Sequence, residues 1–378
     1  MSENVKVVHF VSCMNRGGQE TLIMNLYRNI NRSNVSFLFL CSVNQVGDYD
    51  DEIRQLGGEV LYLPSPKKSR FKLLNYYYKV KNLRQWLEKN RDKYDIVHLH
   101  TYHASDVLVH LEACRQAGVK RRIIHSHNTY GPNVLFHKIC RMICRFYSFK
   151  KFACGIKAGE WLFGCRAVRK GDVTVIKNGI IAENFRFDSD CAQSFKDEMG
   201  LTNKTIIGHV GRFEEQKNHR FIIEIFSEYV KLNNNSILLL IGRGSLESEI
   251  KNQVNQLGIA DKVLFLGMRD DVPKLLSAMD MFLFPSLHEG LSVAAIEVQC
   301  SGLPILTSDI PSMREAKITD LMEFESLESN ASVWARHLFQ LKRVSNRSKY
   351  FQNVSEAGYD IRQSANLIEN EYQKYYLK

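Results

Sequence analysis

Two glutamates, Glu289 and Glu297, stand with seven residues between them in the stretch 281–309. Glu289 falls in a loop, His288-Glu289-Gly290, behind the apolar run Phe282-Leu283-Phe284 and its terminator Pro285, since proline cannot continue a strand ladder. Glu297 falls about one and a half turns into the helix that opens at Ser292, at ~3.6 residues per turn. Both carboxylates can therefore face one ligand lying across the helix N-terminus, where the free N–H groups near Gly290 and Leu291 favour an anion. Upstream, Arg212 and Lys217 flank a single loop behind the strand at 205–210. Arginine as a planar fork and lysine as a point charge match two phosphates. A ligand with hydroxyls at both ends and phosphate between them suits these four side chains. The alternative is an ordinary βαβ unit with solvated glutamates and scattered loop cations, and spacing alone leaves it open. It loses ground because the cations and the acids sit at strand ends of the same expected sheet.

The elements that must hold these residues repeat one pattern. Short apolar strands are expected at 6–11, 35–41, 60–63, 95–100, 122–127 and 173–179, and again at 205–210, 237–241, 263–266, 282–284 and 304–306. Helical segments at 21–28, 73–90, 221–232, 272–279, 292–302, 331–341 and 365–376 separate or follow them. Strand–helix alternation of this kind builds a parallel sheet with ligands at its carboxyl edge. The alternation stops in the polar segment 180–193 and then restarts. The expected domains are 1–180, 181–355 and a terminal helix at 356–378 that packs back on the first domain.

The 378 residues suit two domains of ordinary size, and 44% hydrophobic with 24% charged residues is a globular composition. No apolar run reaches the ~18 residues of a membrane span. The start, MSENVKVVHFVS, is acidic and too short in apolar length for a signal peptide. Nine scattered cysteines without a Cys-x-x-Cys suit a reducing cytoplasm. The net charge of +10 is uneven: residues 1–180 hold 29 Lys and Arg against 14 Asp and Glu, or +15, and the remainder holds −5. A basic first half points to an anionic partner, and it lacks a recognisable nucleic-acid-binding module.

Within that first half, Gly17 and Gly18 lie in a turn between strand and helix, where glycines let backbone approach a ligand. The pattern is not G-x-G-x-x-G, so NAD is not indicated. The strand at 122–127 ends in His125-Ser126-His127-Asn128, and a histidine at the carboxyl edge can hydrogen-bond a sugar hydroxyl or a phosphate. The pairs His98/His100 and His125/His127 each share a strand face and could hold a metal, but no third ligand is evident and no metal is assigned. The stretch 135–152, LFHKICRMICRFYSFKKF, interleaves cations with large apolar residues. It is expected as one helix, lying on an anionic membrane surface or packed on the sheet with a solvated basic edge.

With these pieces assembled, the chain resembles the family-4 glycosyltransferases. The likeness spans nearly the whole length and is carried most by HVGRFEEQKN, LLIGRGSLE, FLGMRDDV and PSLHEGLSVAAIEVQCSGLPILTSD. The segment ITDLMEFESLESNASVWA leans toward the bacterial capsular and exopolysaccharide type. One departure stands out: IPSMREA follows Asp309 where many relatives carry Gly-Gly before a glutamate, whose place Glu315 can fill.

The resemblance implies an α/β fold of GT-B type, two Rossmann-like parallel-sheet domains facing across a deep cleft. It implies a catalytic set of Glu289, His127, Arg212 and Lys217. Arg212 and Lys217 would neutralise the donor diphosphate, Glu289 would hold the donor sugar, and His127 would touch it. Glu297 would accept the ribose hydroxyls, Gly290 and Leu291 would offer amides, and Gly242 and Arg269 would line the donor site near the base. Gly17 and Gly18 would close on the diphosphate. The implied reaction moves a sugar with retention from a nucleoside diphosphate, expected to be UDP, to a lipid-linked saccharide. No metal or resident cofactor is implied. Asp48-x-Asp50 and Asp188-x-Asp190 have the spacing of a metal motif but lie in polar loops and read as chance. The enzyme is expected in the cytoplasm, peripheral on the inner face of the membrane. Two alternatives remain: a non-catalytic partner subunit of a glycosyltransferase complex, and a nucleotide-sugar epimerase.

Overall fold

The computed structural model describes residues 4–67, 69–101, 103–289 and 292–378, with backbone alone at Lys72. Contacts divide the chain into two units, residues 1–179 with Ile361–Lys378, and Ile180–Asp360. Each is built on one parallel sheet.

The first sheet holds β1 (Val5–Val11), β2 (Val35–Cys41), β3 (Glu59–Tyr62), β4 (Ile96–Thr101), β5 (Arg122–Ser126), β6 (Lys150–Ala153) and β7 (Val173–Val175), in the order β3-β2-β1-β4-β5-β6-β7. The second holds β8 (Thr205–Val210), β9 (Ser236–Ile241), β10 (Val263–Gly267), β11 (Met281–Phe284), β12 (Ile305–Ser308) and β13 (Met322–Glu325), in the order β10-β9-β8-β11-β12-β13. In each, the order reverses beside the first strand: between β1 and β4, and between β8 and β11. Open parallel sheets bind ligands at the carboxyl ends of the strands flanking such a reversal.

The strands read as continuous apolar runs because both faces are covered. In the second unit Ile206, Leu239, Phe282 and Ile305 enter one core layer, and Ile207, Leu238, Leu283 and Leu306 the other, with Trp334 fully buried. In the first unit Val8, Leu38, Leu99 and Ile124 face a core that also takes Leu83, Leu111 and Cys140 from the helices Lys72–Lys89, Ala104–Gln116 and Val134–Cys144. The opposite face presents His9, Phe37, Phe39, His98, His125 and Phe152, toward Tyr27 of the helix Gly18–Asn29 and Tyr372 of the helix Ile361–Tyr376. That terminal helix packs on Gly18–Asn29 and on β1, and Glu369 accepts from Asn31 N–H (3.2 Å) and Asn34 Nδ2 (2.8 Å).

Two segments depart from the sequence reading. The stretch 135–152 is not one helix: Val134–Cys144 is helical, and Lys150–Ala153 is β6, paired with β5 and β7. Cys140 and Cys144 form the buried stripe of that helix, and the next position on it is the polar Ser148, so the stripe has nothing to continue with. Phe152 and Ala153 instead gain full burial as a strand. β13 escaped notice because MEFE is rich in residues depleted from strands. Its Glu323 and Glu325 are bridged by His337 at 2.9 Å each.

Candidate active site

The loop behind β8 is fixed before any ligand arrives. Phe213 is 1% exposed and stacks on His219 with ring centroids 4.1 Å apart. Asn218 takes the left-handed conformation (φ 58°) that asparagine tolerates better than most residues, and its Nδ2 donates to Pro285 O at 3.1 Å. The next two loops of the sheet lace onto this one. Gly211 N–H donates to Ile241 O (2.9 Å), Phe213 N–H to Arg243 O (3.0 Å), and Gly242 N–H to Gly267 O (2.8 Å). A Cβ on Gly242 would come 2.1 Å from Gly211 O, and its φ of 137° is one that side chains rarely adopt. Gly242 therefore serves close approach of two loops, whatever it offers a ligand.

On this frame Arg212 is exposed and its guanidinium has no hydrogen-bond or ion-pair partner among the described residues. Lys217 turns the other way. Its Nζ lies 2.6 Å from Glu289 Oε1 and 4.7 Å from the Phe284 ring centroid. The two side chains are 17% and 7% exposed, so this pair is largely shielded from water. Gln216, between the two cations, ties the same loops: its Nε2 donates to His288 O (2.9 Å) and Glu289 Oε2 (3.3 Å), and its carbonyl accepts from Leu287 N–H (2.9 Å). The loops of β8 and β11 thus meet at the reversal of the second sheet, bringing Arg212, Lys217 and Glu289 to one edge. The sequence supplied the charges but not their pairing, and Gln216 carried no signal of its own.

Glu297 sits in the helix Val293–Cys300, capped by Ser292 Oγ accepting from Ala295 N–H (3.4 Å). Its carboxyl is half-buried, has no hydrogen-bond or ion-pair partner among the described residues, and is pushed up by burial from the ordinary 4.5 to about 7. A buried acid held above its unfolded value lends stability while protonated, below about 4.5. That stability is lost as pH rises through about 7. Without ligand, Glu297→Gln should match the natural protein in thermal unfolding at about pH 4 and exceed it at pH 8. The gain should be no more than about 3 kcal/mol, from a shift worth 1.36 kcal/mol per pH unit. Equal midpoints at pH 8 would mean the carboxylate is satisfied.

The remaining expected residues divide. Arg269 is held by Asp271 as a two-pronged pair (2.7 and 2.6 Å), so it is engaged before any nucleotide arrives. Gly290 and Leu291 lie outside the described residues. In the first unit Gly17 caps the helix Gly18–Asn29, a Cβ there would strike Glu20 Oε2 at 2.4 Å, and Gly18 faces open space. His127 is 8% exposed, bonded through Nε2 to His100 Nδ1 (2.8 Å), and burial holds it down to about 3. It is neutral at pH 7, which suits a hydroxyl rather than a phosphate. The two Asp-x-Asp pairs have structural work: Asp50 is buried and accepts from Tyr62 hydroxyl and Gly47 N–H, and Asp188 caps the helix Ser189–Glu198. Glu315 closes the short helix Pro311–Glu315.

Residues 16–184 match the family described as Glycosyltransferase Family 4, and residues 193–322 match Glycosyl transferases group 1. The chain is 34% identical over 380 residues to the putative glycosyltransferase EpsF of Bacillus subtilis, covering 98% of this chain and 97% of that one. It is 25% identical to the capsular polysaccharide biosynthesis glycosyltransferase CapH of Staphylococcus aureus, covering 97% and 98%. A 28% identity to the UDP-Gal:alpha-D-GlcNAc-diphosphoundecaprenol alpha-1,3-galactosyltransferase of Escherichia coli covers 58% and 59%. Among solved structures, Anabaena HepE in complex with UDP and glucose shares the fold, with a TM-score of 0.74 at 16% identity over 97% of this chain and 99% of that one. The chain belongs to the family-4 glycosyltransferases of the capsular and exopolysaccharide type, and its fold is GT-B.

Proposed function

We propose that this glycosyltransferase moves a sugar from a UDP-linked donor to a lipid-linked saccharide, with retention of anomeric configuration, during surface polysaccharide synthesis. The observation that carries the reading is the edge of the second sheet at its reversal. There Arg212 and Glu297, neither with a hydrogen-bond or ion-pair partner among the described residues, flank a shielded Lys217–Glu289 pair, Glu297 being borne on the helix Val293–Cys300. Negative charge develops on the leaving diphosphate as the glycosidic bond breaks. Cations already gathered at this edge meet it, and charge placed in advance supplies much of the rate enhancement in many enzymes. With Arg212 and Lys217 supplying that charge, transfer needs no divalent metal at the diphosphate. Glu289 is engaged by Lys217 at 2.6 Å, which blunts it as a nucleophile. Retention then follows from front-face attack within an ion-pair-like transition state, the acceptor hydroxyl and the departing phosphate sharing one face. Glu297 takes the ribose hydroxyls.

The names of two relatives support the substrates: one complex holds UDP and glucose, and one enzyme acts on a diphosphoundecaprenol acceptor. The membrane contact rests on the first unit. Among the described residues, no helix is long and apolar enough to cross a membrane. Yet Leu135 (75%), Met142 (61%) and Phe146 (88%) are exposed on and just beyond the helix Val134–Cys144, beside Lys138 and Arg145. Apolar residues interleaved with cations fit the interface of an anionic bilayer.

The test is transfer from a panel of UDP-sugars to lipid diphosphate saccharides held in anionic or neutral vesicles, without added metal. The expected result is an α-linked product from an α-linked donor, formed faster on anionic vesicles. Hydrolysis or epimerisation alone, or no turnover of any donor, would overturn the reading.

A further inference from the structure

Five histidines share one face of the first sheet: His9 on β1, His98 and His100 on β4, His125 on β5 and His127 just beyond it. None is more than 8% exposed. Strand register sets His9 opposite His98 and His100 opposite His125. His9 Nδ1 lies 2.9 Å from His100 Nε2, His100 Nδ1 lies 2.8 Å from His127 Nε2, and His98 Nδ1 lies 2.6 Å from the Tyr372 hydroxyl. Five ring nitrogens meet no hydrogen-bond partner among the described residues: His9 Nε2, His98 Nε2, both of His125, and His127 Nδ1.

Packing alone does not call for this. A buried polar group left unpaired costs about 1–3 kcal/mol, and Phe37, Phe39 and Phe152 fill neighbouring positions without it. A proton relay along His127, His100 and His9 fails as well, because it ends at His9 Nε2, which has no partner among the described residues to take or give a proton. Clustered neutral imidazoles with spare lone pairs are what a borderline transition metal binds. Burial holds these rings neutral at pH 7, His9 down to about 3.

Two sets of three have ligand atoms within 4.8 Å of one another, His9/His98/His100 and His100/His125/His127. In the first, two of the three show what metal-binding histidines usually have, a partner on the other ring nitrogen: Tyr372 on His98 and His127 on His100. With His98 Nδ1–H donating to the Tyr372 oxygen, Nε2 is a bare lone pair. Metal–nitrogen bonds of about 2.0–2.1 Å place tetrahedral ligand atoms roughly 3.3 Å apart. The His9–His100 pair at 2.9 Å would need to open by only a few tenths of an ångström. His100, 7% exposed, marks the end at which an ion could enter.

We propose that His9, His98 and His100 form a binding site for one late first-row dication such as Zn²⁺, with water in the fourth position. The ion would join β1 to β4 at the reversal of the first sheet and, through Tyr372, hold the terminal helix. The site uses none of the donor residues assigned to the second unit, and it meets the sugar contact that the resemblance implies only through the 2.8 Å hydrogen bond between His100 and His127.

The test uses the full chain without a histidine tag, stripped by chelator and desalted, then titrated with Co²⁺ and Zn²⁺. The expected result is one ion per chain retained through gel filtration, a tetrahedral Co²⁺ absorption spectrum and a thermal midpoint several degrees higher. His9→Asn and His98→Asn should each lose the ion. X-ray absorption on the Zn²⁺-loaded natural protein should count three imidazole nitrogens, which decides the matter if either variant fails to fold. Failure to retain an ion, a shell of oxygens alone, or retention in both variants with loss in His125→Asn would each overturn the assignment.

Discussion

The double variant Arg212→Ala with Lys217→Ala should bind UDP at least 100-fold more weakly than the natural protein. A hydrogen bond to a charged group is worth about 1.5–3 kcal/mol, so two phosphate contacts amount to roughly 3–6 kcal/mol. At 1.4 kcal/mol per decade that is two to four decades in affinity. The single variants should part company in stability. Arg212 is exposed and unpartnered among the described residues. Its loss should therefore cost about tenfold or more in UDP affinity and leave the unfolding midpoint in place. Lys217 neutralises a glutamate that is only 7% exposed. Removing one partner of a shielded pair strands the other charge, at about 3–5 kcal/mol where burial is complete. Lys217→Ala should thus lower both UDP affinity and the midpoint. Calorimetric titration with UDP beside thermal unfolding separates the two effects. Unchanged UDP affinity in the double variant would remove these cations from the diphosphate.

Glu289→Gln should reduce turnover 100- to 1,000-fold while leaving UDP affinity within a fewfold of the natural value, or tighter. Glu289 competes with the ligand for Lys217 through the 2.6 Å contact. Making it neutral at nearly constant shape frees the lysine for phosphate. What is lost is the carboxylate's hold on the donor sugar as charge develops, and one fixed electrostatic contact in a dry site is worth about 2.7–4 kcal/mol. Steady-state rates with the UDP-sugar, set against UDP binding, give both quantities. Equal losses in the two would make Glu289 a support for the loop rather than a contact of the sugar.

The sequence was most legible where local pattern decides the outcome. Runs such as Ile206–Val210 and Phe282–Phe284 are apolar because both faces of a parallel sheet are covered, and Pro285 and Gly211 mark where they empty into loops. Arg212, Lys217, Glu289 and Glu297 could be singled out because they follow such strand ends. Sheet order was not legible, and it determines which strand ends become neighbours. Lys217 and Glu289 are 72 residues apart and meet only because β8 lies beside β11. His9 lies 91 residues from His100, so the third imidazole missing from the His-x-His reading arrives with β1. β6 stayed hidden because four residues, Lys150–Ala153, with two lysines resemble the end of a basic helix until they are paired on both sides.

The most direct trial of the donor site is a crystal structure of the full chain soaked with UDP at neutral pH. The diphosphate is expected within hydrogen-bonding distance of the Arg212 guanidinium and the Lys217 ammonium, with the ribose hydroxyls on the Glu297 carboxylate. A diphosphate seated elsewhere, with Arg212 in solvent and Glu297 untouched, would contradict it.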